Sequence, residues 1–338
     1  MQAESSGTVN SRQLLSGLMR RLPLLLLVAL LLVVPAAVAS SAAREGRATA
    51  TGRFVFAASR EKLGQTDIYS AHADGTDVRR LTRTSVSEGA LTASRTGSRI
   101  AFIANGVGLG VMNGDGSGYR IVDRFPSEIP DGGYDTDPAL SPDGTRLAFV
   151  SAREGLPAIY VVNAGGTRLR RLSHEVSPGE TRAWSPTWSR DGSKLLVAVA
   201  AAPDQDYTER FALISARDGH VIRRIRVDLP GLLTAGGTKA IWSPDNKRIA
   251  FDACQGRGCM FTPVLIANAD GTHVRRLRFE PRAETAVGKN WSPDSRSLLY
   301  GLGFGFCINR LFIATGQRKC ISMRSAHLLP WEVVGLKR

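Results

Sequence analysis

The sequence predicts an all-β chain folded as a six-bladed β-propeller of four-stranded blades. Two observations carry this. Five segments repeat one pattern: Ser94–Phe102 (SRTGSRIAF), Ser141–Phe149 (SPDGTRLAF), Ser189–Val197 (SRDGSKLLV), Ser243–Phe251 (SPDNKRIAF) and Ser292–Tyr300 (SPDSRSLLY). Their initial serines lie 47, 48, 54 and 49 residues apart, the period of a propeller blade. After residue 44, moreover, no stretch carries its apolar residues at helical spacing.

The N-terminus comes first. Residues 1–21 hold Arg12, Arg20 and Arg21 against Glu4, followed by an apolar run of 13 residues from Leu22 to Val34, then Pro35 and Ala37-Val38-Ala39. A basic segment, a short apolar segment and a small-residue site make a secretory signal peptide, with cleavage expected after Ala39. The competing reading, an uncleaved membrane anchor, needs about 20 apolar residues. Cleavage would take three Arg and one Glu from totals of 44 basic and 30 acidic residues, leaving 41 and 29. The positive charge therefore belongs to the folded part. Residues 40–52 read as a short linker and 53–338 as the propeller.

Within each repeat, Ser-Pro-Asp-Gly is turn chemistry. Pro fixes φ, the Asp carboxylate binds nearby backbone N–H groups, and Gly accepts positive φ. By this reading Asp143, Asp191, Asp245 and Asp294 are turn-formers rather than acid–base catalysts. The next strand opens on a basic residue (Arg99, Arg146, Lys194, Arg248) and is then continuously apolar, the mark of a strand buried on both faces. Third strands follow at Asp67–Tyr69, Ala158–Tyr160 and Phe211–Leu213. Turns such as Ala73-Asp74-Gly75-Thr76 then lead into fourth strands carrying arginine pairs.

The first repeat is incomplete. Arg53–Phe56 reads as a second strand with no first strand ahead of it, while Leu329-Pro330-Trp331-Glu332 resembles the first-strand segment Ser185-Pro186-Thr187-Trp188. Residues 328–334, with Pro330 and Trp331, are therefore expected to supply the missing innermost strand and close the ring on the N-terminal blade.

Several constellations were weighed for chemistry. The pairs Arg79/Arg80, Arg170/Arg171, Arg223/Arg224 and Arg275/Arg276 lie on outermost strands of different blades. Their distribution around the rim favours charged guards against edge-to-edge pairing over a single anion-binding patch. Asp131, Asp135 and Asp137 are the densest acidic cluster and the candidate metal ligands, but their spacing matches no EF-hand loop. Gly106/Gly108/Gly110 and Gly301/Gly303/Gly305 open no helix, so they read as hairpins rather than nucleotide loops. The five His show no zinc spacing. Positions at the ends of the innermost strands (Gly89, Asp137, Ser185, Thr238/Lys239, Lys289/Asn290) offer one carboxylate, a poor catalytic set. No catalytic residue and no cofactor is assigned.

The Ser-Pro-Asp-Gly turn, the Arg-Leu/Ile-Ala-Phe strand and the Asp-Gly-Thr hairpin resemble the TolB-type WD40-like propeller repeat over nearly all of residues 52–335. The TolB family places a separate α/β domain ahead of its propeller. The dozen or so residues between Ala39 and Arg53 cannot hold one, so the resemblance is to the propeller alone. It implies an exported, non-catalytic scaffold of the bacterial periplasm or cell envelope that binds a protein partner at the channel mouth. The insertions Pro126–Tyr134, Glu175–Ala183 and Ala201–Glu209 would carry the contacts. A monomer is expected, with no nucleic-acid partner and only weak attraction to anionic envelope polymers. The alternative is a propeller lyase or hydrolase acting on an anionic polysaccharide.

Four Cys allow three connectivities. Cys254 and Cys259 flank a Gly-rich hairpin, and in an exported chain a disulfide closing it is expected. Peptide mapping without reduction should recover the two joined; alkylation of both as free thiols would refute the pairing.

Overall fold

The computed structural model describes residues 53–59, 65–125, 136–173, 182–200, 209–227, 240–252, 264–277, 286–292, 294–302, 307–322 and 329–337. They form six four-stranded antiparallel sheets. Blade 1 comprises β1 (Arg53–Ser59), β2 (Thr66–His72) and β3 (Arg79–Arg80). Blade 2 holds β4 (Glu88–Ala93), β5 (Arg99–Ala104), β6 (Gly108–Asn113) and β7 (Arg120–Arg124). Blade 3 holds β8 (Thr136–Leu140), β9 (Arg146–Ser151), β10 (Ala158–Asn163) and β11 (Arg170–Arg171). Blade 4 holds β12 (Arg182–Trp188), β13 (Lys194–Ala200), β14 (Glu209–Ser215) and β15 (Val221–Val227). Blade 5 holds β16 (Ile241–Trp242), β17 (Arg248–Asp252), β18 (Val264–Asn268) and β19 (Arg275–Arg276). Blade 6 holds β20 (Ala286–Trp291), β21 (Ser297–Leu302), β22 (Cys307–Phe312) and β23 (Arg318–Ser322). The last strand, β24 (Leu329–Lys337), joins blade 1, whose order is β24-β1-β2-β3.

Innermost strands succeed one another around the axis: β4 lies against β8, β8 against β12, β12 against β16 and β16 against β20, while β24 lies against both β20 and β4. β24 pairs antiparallel with β1 from Arg53↔Lys337 to Ser59↔Leu329, with register shifts between Phe54 and Val55 and between Ala57 and Ala58. Pro330 stands opposite Ala58, and Trp331 falls in the second shift. The strand runs to Lys337, three residues beyond the stretch read from the sequence.

The core is divided into slabs, one between each pair of neighbouring blades. Phe56, Phe102, Phe149, Val197, Phe251 and Tyr300 occupy the middle of the second strands, none more than 1% exposed. Losing any of the aromatic ones would cost about 3–5 kcal/mol. The slab between blades 6 and 1 contains Leu299, Ile308 and Ile321 against Phe54, Phe56 and Tyr69. Gly110, opposite Phe102 within blade 2, lets the Phe102 ring lie across it, because a Cβ there would stand 2.2 Å from that ring.

Arginine ties the blades together in two tiers. At the start of the second strands, Arg99 donates to the Gly144 carbonyl (2.9 Å), Arg146 to Gly192 (2.9 Å) and Arg248 to Ser295 (2.7 Å). In each case the acceptor is the Ser-Pro-Asp-Gly-type turn of the next blade. Arg146 and Arg248 also lie over the rings of Trp188 and Trp291 in that blade, at 4.6 and 5.3 Å. On the outermost strands, Arg120, Arg170 and Arg275 donate to the carbonyls of Ala164, Arg217 and Ile313 at 2.6, 2.8 and 2.8 Å, again one blade onward. Hydrogen bonds to charged groups contribute about 1.5–3 kcal/mol each.

The arginine pairs are also bonded within the ring. Their first members Arg170 and Arg275 staple blades. Their second members Arg80 and Arg171 pair with Asp67 (2.7 Å) and Glu154 (3.1 Å) of their own blades.

Removing β24 would leave β1 without its inner neighbour and open the slabs on both sides of blade 1. Truncation after Ala326 is expected to lower the melting temperature by about 10 °C or more, or to abolish soluble protein. A truncated chain whose calorimetric transition coincides with that of the full chain would show that β24 does not hold the ring.

Candidate functional site

The two faces of the ring are built differently. One, the turn face, carries the links between first and second and between third and fourth strands. All of its turns but Pro293 are described. Here Asp143, Asp191, Asp245 and Asp294 accept from the hydroxyls of Ser141, Ser189, Ser243 and Ser292 at 2.5–2.6 Å. Each also accepts from the backbone N–H two residues on, at 3.0–3.1 Å. Burial pushes Asp143, Asp245 and Asp294 up, but these bonds and the neighbouring cations outweigh it and hold them below the usual carboxylate value. At Asp191 the Ser189 hydroxyl leads, and the pKa falls to about 2. These carboxylates are occupied within their own turns.

The other, the loop face, carries the ends where innermost strands begin. Each of β4, β8, β12 and β20 has a register shift there, between Gly89 and Thr92, Thr136 and Ala139, Trp184 and Thr187, and Val287 and Asn290. In three of these shifts a non-glycine residue takes left-handed backbone: Ala90 (φ 48°), Asp137 (φ 50°) and Ser185 (φ 50°). Such geometry is uncommon for L residues, and bulges re-aim the groups beside them. It recurs at one level of the innermost strands in blades 2, 3 and 4. Gly89 borders open space, since a Cβ there would meet nothing within 4 Å.

Hydrogen bonds join neighbouring innermost strands laterally, from the bulges toward the turn face. Ser185 donates to the Asp137 carboxylate (2.8 Å), and Leu140 N–H donates to Thr92 Oγ1 (3.2 Å). Thr187 donates to the Ala240 carbonyl (2.7 Å), while the indoles of Trp188 and Trp291 donate to Ala139 (2.7 Å) and Ile241 (3.1 Å). These bonds link the innermost strands of blades 2 to 6 in series, and Asp137, at the bulge of β8, is half-buried.

Of the other residues read as site candidates, Asp131, Asp135, Cys254 and Cys259 lie outside the described residues, as do Thr238 and Lys239. The three aspartates are therefore not seen together, and Asp137 bonds Ser185. Among the described residues no three His, Cys, Asp or Glu gather as a metal site. Of the insertions, only Arg182-Ala183 and Glu209 are described. Cys320 is disulfide-bonded. The pairings Cys307↔Ser322 and Asn309↔Cys320 put Cys307 on the same sheet face, one diagonal step away.

One polar cluster has no counterpart in the sequence reading. Glu88, at the start of β4, is 1% exposed. It accepts from Thr82 (3.0 Å), from Thr84 and, at the long limit of 3.5 Å, from Tyr119. Burial pushes Glu88 up, and burial together with the Glu88 charge raises Tyr119 to about 12. Alongside, the Gln65 amide donates to the carbonyls of Thr84 and Val86, and Thr66 N–H donates to Ser87 (3.2 Å). The cluster fixes the connection from blade 1 to blade 2 beside the mouth. Its partners are scattered in sequence, and Glu-Gly-Ala-Leu has no motif that would betray them.

Comparison with known proteins places this geometry. No family model matches the chain. A TolB homologue of Chlorobaculum tepidum is 32% identical over 139 residues, covering 40% of this chain and 29% of that protein. The chain matches a third or less of the length of such curated relatives. Among solved structures, TolB from Acinetobacter baumannii superposes with a TM-score of 0.62 at 15% identity, covering 86% of this chain and 67% of that one. An oligogalacturonate lyase in complex with manganese gives a TM-score of 0.50 at 13% identity, covering 80% and 73%.

Glu88 gives a pH signature. Its folded pKa is raised, so the stability linked to its proton is complete below the ordinary carboxylate range and is lost as pH rises through the raised value. Glu88→Gln should therefore show a smaller loss of stability than the parent between acidic and neutral pH in denaturant unfolding. Parallel pH profiles for the two would refute this.

Proposed function

We propose that this β-propeller, whose fold is shared with TolB, is a non-catalytic binding scaffold whose protein partner docks at the channel mouth on the loop face. The observation that carries this is the repeated bulge with left-handed residues at Ala90, Asp137 and Ser185. Strained backbone persists where the surroundings over-determine it, commonly at ligand-binding surfaces. Here the surroundings include lateral hydrogen bonds beside the bulges, from Ser185 to Asp137 and from Thr187 to the Ala240 carbonyl. A preformed surface loses little conformational entropy on binding. Asp137 offers the partner an acceptor already oriented by Ser185.

Export to the periplasm or cell envelope is part of the proposal. It is supported by the basic and apolar pattern of residues 1–39 and by the likeness to TolB homologues. Among the described residues no helix is long and apolar enough to cross a membrane. The second reading, a lyase or hydrolase acting on anionic polysaccharide, draws on the oligogalacturonate lyase that shares the fold.

A photo-crosslinking residue at Gly89, where the added side chain meets open space, tests the mouth against Gly165 on the turn face, which is equally open. In envelope extracts the variant at Gly89 should capture a protein that the one at Gly165 does not. Equal capture at both positions, or turnover of an anionic polysaccharide by the purified chain, would overturn the proposal.

A further inference from the structure

The connection from blade 1 to blade 2 runs from the end of β3 at Arg80 to Glu88, and delivers the chain to the channel mouth at Gly89. Its bonds converge on Glu88. The Thr82 hydroxyl accepts from Ile68 N–H (2.9 Å) and donates to Glu88 Oε2 (3.0 Å). Thr84 Oγ1 lies against Glu88 Oε1 and stands 3.0 Å from the Val86 carbonyl. A hydroxyl has one proton to give, so two acceptors face one donor at Thr84. A proton on Glu88 resolves the shortage. Glu88 then donates to Thr84 Oγ1, and Thr84 donates onward to Val86. Without that proton Thr84 turns its hydrogen to Glu88, and the Val86 carbonyl keeps only the Gln65 amide (2.9 Å).

The neighbouring charges favour the same proton. Asp67 on β2 is 3% exposed and pairs with Arg80 on β3 (2.7 Å), and the field of Arg80 is also felt by Glu88. Tyr119, raised to about 12, stays neutral. Arg79 on β3 and Arg83 in the connection are exposed. Of the other charged groups on strands against β4, His72, Arg53 and Arg99 stand at the turn-face ends of β2, β1 and β5, and Asp137 on β8 is bonded to Ser185. β24 places Glu332 opposite Ala57 and Lys337 opposite Arg53. Two buried carboxylates thus meet one guanidinium, and the group is neutral only while Glu88 holds a proton. A buried charge without a partner is costly.

We propose that Glu88 is a proton switch for the channel mouth: protonated, it locks the connection from blade 1 to blade 2 beside Gly89, and ionised, it loosens that connection and the bulge that follows. This rests on the reading of the mouth as the docking surface and adds the regulation of that surface. A partner that needs the preformed mouth binds the protonated state better, by as much as the two states differ in shape.

The test uses the whole protein. Carbon-13 carboxyl shifts locate the Glu88 titration. Hydrogen exchange, corrected for the intrinsic pH dependence of amides, reports protection across residues 84–90 between about pH 4.5 and 8. Protection should fall by about fivefold or more as pH rises through the Glu88 titration. Glu88→Gln should hold it constant, because the Gln amide donates to Thr84 and its carbonyl accepts from Thr82. If that variant fails to fold, Thr84→Val gives the answer: Glu88 still titrates, but the fall in protection shrinks with the relay hydroxyl gone.

A fall of equal size in the parent and in either variant, or protection that stays flat in the parent while Glu88 titrates, would overturn the switch. Neither result touches capture of a partner at Gly89, so the switch can fail while the mouth reading stands. A proton-linked fall in protection without capture at Gly89 would keep the switch and sink the mouth reading.

Discussion

Every second strand in this protein is apolar on both faces, and no blade can bury both faces by itself. That constraint organises the molecule. Leu147 and Phe149 on β9 are covered from blade 2, while Ala148 and Val150 on the same strand are covered from blade 4. Alternate residues of one strand therefore belong to different slabs, and each blade serves as half of two interfaces. An open row of such blades would leave an apolar face at each end. The slab joining Leu299, Ile308 and Ile321 to Phe54 and Phe56 removes both open ends together. The pairing of β24 with β1 adds backbone hydrogen bonds to that closure.

The same constraint explains where the positive charge has gone. A net charge of +14 invites an anionic ligand as its explanation, but much of it serves the seams between blades. Apolar slabs are non-directional, so they do not by themselves fix the angle of one blade on the next. A guanidinium donating to a carbonyl across the seam does, because its donors are set in a plane. Arg146 shows the full arrangement, with its guanidinium over Trp188 and a bond to the Gly192 carbonyl of the following turn. The outer tier at Arg120, Arg170 and Arg275 repeats the bond at larger radius. Two tiers at different distances from the axis resist tilting as well as separation.

What was legible in the sequence follows from the range of each interaction. The Ser-Pro-Asp-Gly turn bonds within itself, as Ser243 to Asp245 and Asp245 to Lys247 N–H show, so its signature recurs in five of the six blades and yields the fold. The arginine staples were visible as residues but not as bonds. Their acceptors are backbone carbonyls about one blade onward, which carry no sequence mark, and a guard on an edge looks the same in a string of letters. The bulged mouth was less legible still. Ala90, Asp137 and Ser185 share a left-handed backbone but no chemistry; their conformation is imposed by the register of neighbouring strands. Glu88 reads as an ordinary charged residue until Thr82, Thr84 and Tyr119 close around it.

These arrangements also decide which surface is left for recognition. On the turn face, the aspartates of the repeat are engaged by serine hydroxyls and backbone N–H groups, and the first arginines reach into adjacent turns. A ligand that competed for those groups would loosen the seams of the ring. Toward the loop face, the bond from Ser185 to Asp137 runs sideways between innermost strands, and the Cβ direction of Gly89 is open. The staples thus give the turn face a structural duty, and a partner binding by the proposed reading would leave the seams intact by docking on the other face.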